Sequence, residues 1–218
     1  MTKERKKTEY LSSSGKLLIF TGRSGAGKDW IVDNFISRYP NFTRVVTNAA
    51  RNRRPGEIDG EDYHFTPYED FLMMVKNKLF AEDYVQTGGP TDLKATSKEE
   101  LYRVFNGENK IWRIDLSLAE KIANGEYFHK YHDSQYAQLL QQNSKLIYVH
   151  VDEEIIIKRR MERDGDNYHP DKYKERDIQE LPIVNRSFNR FEHKIHNFGT
   201  EDEIMDSLNM ILKDFVNF

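Results

Sequence analysis

Residues 16–29 read Lys-Leu-Leu-Ile-Phe-Thr-Gly-Arg-Ser-Gly-Ala-Gly-Lys-Asp, and they constrain this chain more than any other stretch. The apolar run at 17–20 ends in a glycine-rich turn, which predicts a buried strand feeding a helix. Gly22, Gly27 and Lys28 satisfy the phosphate-binding spacing G-x-x-x-x-G-K. Across Gly22, Ser24, Gly25, Ala26 and Gly27, glycines allow the backbone to curl so that its N–H groups face an anion. The following helix aims its positive N-terminal end at the same point, and Lys28 adds a mobile charge for the outer phosphates. The spacing normally continues with Ser or Thr, whose hydroxyl holds Mg²⁺. Here Asp29 and then Trp30 follow, and neither has a hydroxyl. The bland alternative is a strand-to-helix turn with a chance lysine.

The 218 residues suffice for one α/β domain with a small lid. A net charge of −3 gives no global pull toward nucleic acid or an anionic membrane, and neither is expected as a partner. With no cysteine, disulfides, thiolate metal sites and thiol nucleophiles are all excluded, which suits a reducing compartment. No apolar run is long enough to span a bilayer and no apolar signal core opens the chain, so the expected location is the cytoplasm.

Residues 1–15 read as a mobile basic tail. A helix is expected from Asp29 to Tyr39, ended by Pro40, and a strand from Thr43 to Thr47. The segment from Asn48 to Phe65 is loop-like, with Pro-Gly and Asp-Gly turns and arginines suited to bidentate phosphate binding. Thr66 is expected to cap a helix reaching Lys78 through a box with Glu69. Leu79 to Thr87 reads as a strand broken at Gly88. Ser97 caps a helix ending at Gly107, and Lys110 to Leu116 reads as a strand carrying Asp115 near its end. Residues 125–133 look irregular, and Ser134 to Gln142 helical. Leu146 to Val151 is a strand, and Asp152 to Glu162 a helix with a basic end. Pro182 is expected to interrupt the segment after Tyr173. Lys194 to Phe198 reads as a last strand, and Thr200 caps a final helix with Ile204, Leu208, Ile211 and Phe215 inward. Met73 and Met74 read as core filler. The closely spaced His129 and His132 have no ligand spacing around them, and His193 and His196 read as lying on opposite sides of a strand turn or at the surface.

Strands alternating with helices imply a mostly parallel sheet flanked by helices. Ligands in such folds sit beyond the carboxyl ends of the strands, which brings Gly22–Lys28 and Asp115 to one crevice.

With these elements placed, the chain resembles the guanylate kinase family of P-loop nucleoside monophosphate kinases. The specific part is Arg51-x-x-Arg54-x-Gly56-Glu57-x-Asp59-Gly60-x-Asp62-Tyr63-x-Phe65. The likeness is strong over residues 16–82, patchy over 94–115 and thin over 116–145. It implies a domain over 16–218 with a monophosphate-binding subdomain at about 48–96 and a lid at about 159–180. It further implies ATP and Mg²⁺ as cofactors and GMP or dGMP as acceptor. Thr47, Arg51, Arg54, Tyr63 and Lys94 would hold the acceptor phosphate, while Glu82, Thr96 and Asp115 would read the guanine edge. Arg159, Arg163 and Arg176, with Lys28, would offset charge on the transferring group, and Asn197 would lie near the donor base. Asp29 and Asp115 are the candidate metal ligands.

The departures are as informative. Asp29 replaces a small residue, Lys94 a phosphate-binding Tyr, Arg113 an acidic residue and Ser117-Leu118 a Gln-Gly pair. They keep two other readings open: a non-catalytic nucleotide-binding or scaffold module, and a kinase for a different monophosphate. For Arg159 and Arg163 the bland reading is a solvated helix end whose charge complements the dipole.

Overall fold

A computed structural model describes residues 15–86 and 89–216. The basic tail, apart from Gly15, lies outside the described residues, as do Thr87 and Gly88. In chain order the elements are β1 (Leu17–Thr21), α1 (Lys28–Arg38), β2 (Phe42–Arg44), β3 (Asn48–Ala49), β4 (His64–Phe65) and α2 (Tyr68–Lys76). There follow β5 (Val85–Gln86), β6 (Leu93–Ala95), α3 (Lys98–Tyr102), β7 (Asn109–Arg113), α4 (Leu116–Ala123), α5 (Tyr127–Tyr131) and α6 (Ser134–Asn143). The last are β8 (Ser144–His150), α7 (Glu153–Asp164), α8 (Asp171–Ser187), β9 (His193–His196) and α9 (Glu201–Leu212).

The fold is α/β, with a mostly parallel sheet flanked by helices. The five-stranded sheet has the order β2-β7-β1-β8-β9, and a second, four-stranded sheet has the order β4-β3-β6-β5. The described chain divides into two compact units. The first contains 15–17, 43–110 and 128–143; the second contains 18–42, 111–127 and 144–216.

In the second unit the apolar residues of β1, Leu18 and Phe20, are fully buried with Ile31, Val32 and Phe35 of α1. Ile147 and Val149 of β8, Ile195 of β9, and Ile204 and Leu208 of α9 complete that core, while Ile211 and Phe215 pack on it half-buried. Each fully buried aliphatic or aromatic side chain here stabilises by roughly 1.5–3 kcal/mol. The first unit has its own smaller core of Ala50, Phe71, Phe80, Leu93 and Ala95. It also buries an ion pair, Lys110 Nζ to Glu100 Oε1 at 2.8 Å. Burial opposes ionisation of Glu100, but Lys110, the Val46 N–H and Arg103 outweigh it and hold the carboxyl below its usual value.

Local capping explains several boundaries. Ser97 Oγ accepts from Glu100 N, and Thr200 forms a complete box with Glu203, both as expected. Thr66 does not cap α2: Pro67 takes that position, and Thr66 Oγ1 is engaged with His64 O and Asn48 Nδ2. Asp115 lies past the end of β7 and caps α4, accepting from Leu118 N at 2.9 Å. The expected strand over Leu79–Thr87 is reduced to Val85–Gln86 and a bridge at Phe80. The strand expected over Thr43–Thr47 covers only Phe42–Arg44. Residues 127–131 are helical rather than irregular. Pro182 does not interrupt α8, which runs through it from Asp171 to Ser187. Met73 is 55% exposed, so only Met74 of that pair packs on a core. No helix among the described residues is long and apolar enough to cross a membrane.

Candidate functional site

In the second unit the turn between β1 and α1 lies at the carboxyl end of β1. Gly27 has φ +84°, and a Cβ there would collide with Asn197 Nδ2. Glycine is thus required both by the backbone and by the close approach of the loop. Asn197 Nδ2 donates to Ala26 O at 2.7 Å, and Arg159 donates to Ala26 O and Asn197 O at 3.2 and 3.0 Å. These bonds hold the Ala26 carbonyl in place.

The loop lines a cleft of about 600 Å³ together with Arg113, Asp115, Arg159, Arg163 and Arg176. That size suits a nucleotide-sized ligand. Gly22, Ser24, Gly25, Gly27, Lys28 and Asp29 are thereby brought together with Asp115, as the topology predicts, and Asn197 touches the loop from behind. Lys28 Nζ donates to Gly22 O at 2.6 Å and Arg23 O at 3.0 Å. Burial is the largest influence on Lys28 and lowers it to about 8, against the opposing pull of Glu180 and Asp29.

Sequence reading missed Glu180. This α8 carboxylate accepts from Ser24 N at 3.0 Å, so an anionic group already sits on the phosphate loop. The anion-binding character expected of residues 22–28 therefore fits the residues present. Arg176, one turn earlier on α8, reaches Ser24 Oγ at 3.3 Å.

Beneath the loop lies a second missed group. Arg160 is 2% exposed; it donates through Nε to Ser24 O and through both terminal nitrogens to Asp177, at 2.7 and 2.8 Å. Arg23 reaches the same Asp177 at 2.9 Å and also pairs with Glu153. Hydrogen bonds from Arg160, then Arg23, hold Asp177 below the usual carboxylate range despite burial. The signal was present: Arg160 follows Ile156 by four residues, on the buried face of α7. Arg159 and Arg163 line the cleft, Arg159 also bonds the loop, and Arg163 pairs with Asp164 and Tyr173, so neither side chain meets solvent alone.

Asp29 and Arg113 form an ion pair. Asp115 uses Oδ1 as the α4 cap and accepts there from Ser117 Oγ as well. Arg113 engages Oδ1 of Asp29, so a metal at Asp29 would either share the carboxylate with Arg113 or displace it.

In the first unit the arginine loop is shaped by its own acids. Asp59 accepts from Phe65 N, Asp62 from Ile58 N, and Glu57 from Arg54 N. Glu57 also holds Arg51 bidentately at 2.5 and 2.7 Å, and chiefly that bond lowers it to about 2. Arg51 stacks near Tyr63, whose hydroxyl accepts from Lys94 Nζ at 3.3 Å. Arg51, Tyr63 and Lys94 are therefore brought together, with Arg54 joined through Asp92 at 3.8 Å. Arg51 Nε is a buried donor without a hydrogen bond, 3.7 Å from Asp92 Oδ1. Glu82 Oε1 accepts from Thr96 N at 3.0 Å, which joins the two expected base-reading residues. Thr47 gives its carbonyl to His64 N.

The family model for guanylate kinase matches residues 14–127, just over half of the 218. The chain belongs to the guanylate kinase family. A guanylate kinase of Acinetobacter baylyi is 34% identical over 111 residues, 50% of this chain and 52% of that one. One of Trichormus variabilis is 32% identical over 116 residues, 53% and 57% of the two chains. The chain thus matches little more than half the length of these relatives. A guanylate kinase structure from Anaplasma phagocytophilum shares the fold, with a TM-score of 0.55 over 94% of this chain and 88% of that one at 16% identity.

Proposed function

We propose that this protein transfers the γ-phosphoryl group of ATP to a nucleoside monophosphate, GMP or dGMP, giving the diphosphate. The observation that carries this reading is the phosphate loop whose Ser24 N–H already holds a carboxylate, in a cleft lined by Lys28, Arg113, Arg159, Arg163 and Arg176. Phosphoryl transfer asks for positioning and charge neutralisation, and these groups supply both. The ATP phosphates replace Glu180 on the Ser24 N–H. Lys28, Arg159, Arg163 and Arg176 spread positive charge over the transferring group, and Asn197 lies toward the donor base.

Residues 48–96 serve as the monophosphate-binding subdomain and 159–180 as the lid. Thr47, Arg51, Arg54, Tyr63 and Lys94 take the acceptor phosphate, and Glu82 and Thr96 select the base. The acceptor oxygen is already anionic, so no general base is required. Asp115 and Asp29 would be the carboxylates for Mg²⁺, which when bound would neutralise phosphate charge. The cytoplasm supplies both nucleotides, and that is where we place the activity.

A coupled ADP-release assay over a panel of ribo- and deoxynucleoside monophosphates tests the reading. The expected result is turnover highest with GMP or dGMP. Nucleotide binding without ADP release for any acceptor overturns it and identifies a non-catalytic module.

A further inference from the structure

β8 and β9 run parallel with His150 directly opposite His196. Asp152, two residues past the end of β8, is still extended, with φ −62° and ψ 149°. The three groups offer ligand atoms that all lie within 4.8 Å of one another. His196 Nε2 is 3.8 Å from Asp152 Oδ1, and the two imidazoles stack at 5.1 Å. Asp152 occupies the N-cap of α7, yet its carboxylate makes no capping hydrogen bond. A residue type favoured there for capping instead turns its carboxylate to the histidines.

We infer that His150, Asp152 and His196 form a binding site for a borderline divalent transition metal of the Zn²⁺ type, separate from any Mg²⁺ carried by nucleotide. Two imidazoles and one carboxylate suit Zn²⁺, Co²⁺ or Ni²⁺, whereas Mg²⁺ prefers oxygen ligands throughout. Ligands about 2.0–2.2 Å from a tetrahedral ion lie roughly 3.3 Å from each other, so the three atoms must draw in. His196 and Asp152 are exposed and can adjust, while His150 is half-buried beside Phe188, its ring 5.6 Å away. The neighbouring cation on the same face, Lys194, is turned aside to Phe191 O and the Phe188 ring.

Three protein ligands leave a position open, as in sites that exchange a water or a further ligand. The place matters because Asn197 follows His196. Its N–H donates to His150 O at 2.7 Å, and its side chain holds Ala26 of the phosphate loop. A metal there clamps the ends of β8 and β9 from which Asn197 reaches the loop.

The test is calorimetric titration of the chelator-treated full chain with Zn²⁺ in excess Mg²⁺, alongside thermal unfolding. Wild type is expected to bind one equivalent saturably and to unfold at a higher temperature with Zn²⁺. His196→Ala and Asp152→Asn should each weaken binding at least about tenfold and lose the thermal shift, while His129→Ala keeps both. The exposed position of His196 keeps the variant folded, and unchanged unfolding without metal verifies this. Failure of wild type to saturate near one equivalent overturns the inference, as does displacement of Zn²⁺ by Mg²⁺ or wild-type binding by His196→Ala.

Discussion

Glu180 of α8 holds the backbone N–H of Ser24 through its carboxylate at 3.0 Å, in the middle of the phosphate loop. An acidic side chain at that point competes with any phosphate for the same donor. Glu180→Gln removes the charge and keeps the shape. The expected outcome is ATP binding about fivefold tighter, a gain of ~1 kcal/mol, measured by calorimetry. Weaker binding would show that Glu180 supports the loop rather than contesting it.

Asp29 is occupied by Arg113, so metal and guanidinium compete for one carboxylate. Arg113→Gln should free Asp29 and increase the ratio of ATP dissociation constants without and with Mg²⁺ several-fold. Adding Asp29→Asn to that variant should abolish the increase. If Arg113→Gln leaves the ratio at its wild-type value, Arg113 does not compete with metal for Asp29.

Lys28 titrates at about 8 because of burial, and a phosphate favours its charged form. ATP binding should therefore take up protons above pH 8 and weaken by up to about tenfold per pH unit. Calorimetry in buffers of different ionisation enthalpy reads the uptake, and Lys28→Met should lose it. For stability the sign is the reverse. Between the folded value of about 8 and the unfolded value of 10.5, the unfolded chain holds the extra proton. The Lys28 contribution thus raises stability as pH rises through that window, a rise absent in Lys28→Met.

Arg54 is 65% exposed, whereas Arg51 is fixed by Glu57. Arg54→Ala should raise the acceptor KM by about tenfold to a hundredfold, with the ATP KM within about twofold of wild type. Equal losses for both substrates would remove Arg54 from the acceptor site.

The phosphate loop was legible because its signal is local: an apolar run, glycines and a lysine on consecutive residues. Ser97 and Thr200 were legible for the same reason, since a cap and its partner lie within one turn. Thr66 misled because Pro67 supplies the boundary and leaves the hydroxyl to β4 and Asn48. Pro182 misled because α8 is held from outside. Asp177 lies between Arg23 and Arg160, and Glu180 lies on the loop, so those contacts outweigh the lost backbone bond. Leu79 and Tyr84 read as strand by residue type, yet both are exposed and lie outside β5. Glu180 was beyond reach because nothing near it in sequence points to Ser24, its partner 156 residues away.

The pairing of Asp29 with Arg113 also bears on inheritance. An arginine at 113 without its acid leaves a cation unmatched beside Lys28; an acid at 29 without its arginine sets a bare negative charge against incoming phosphates. Either change alone alters the charge of the cleft by one, whereas both together leave it unaltered. The two positions are therefore expected to covary among descendants of this chain, and an intermediate carrying one alone should be the rare state.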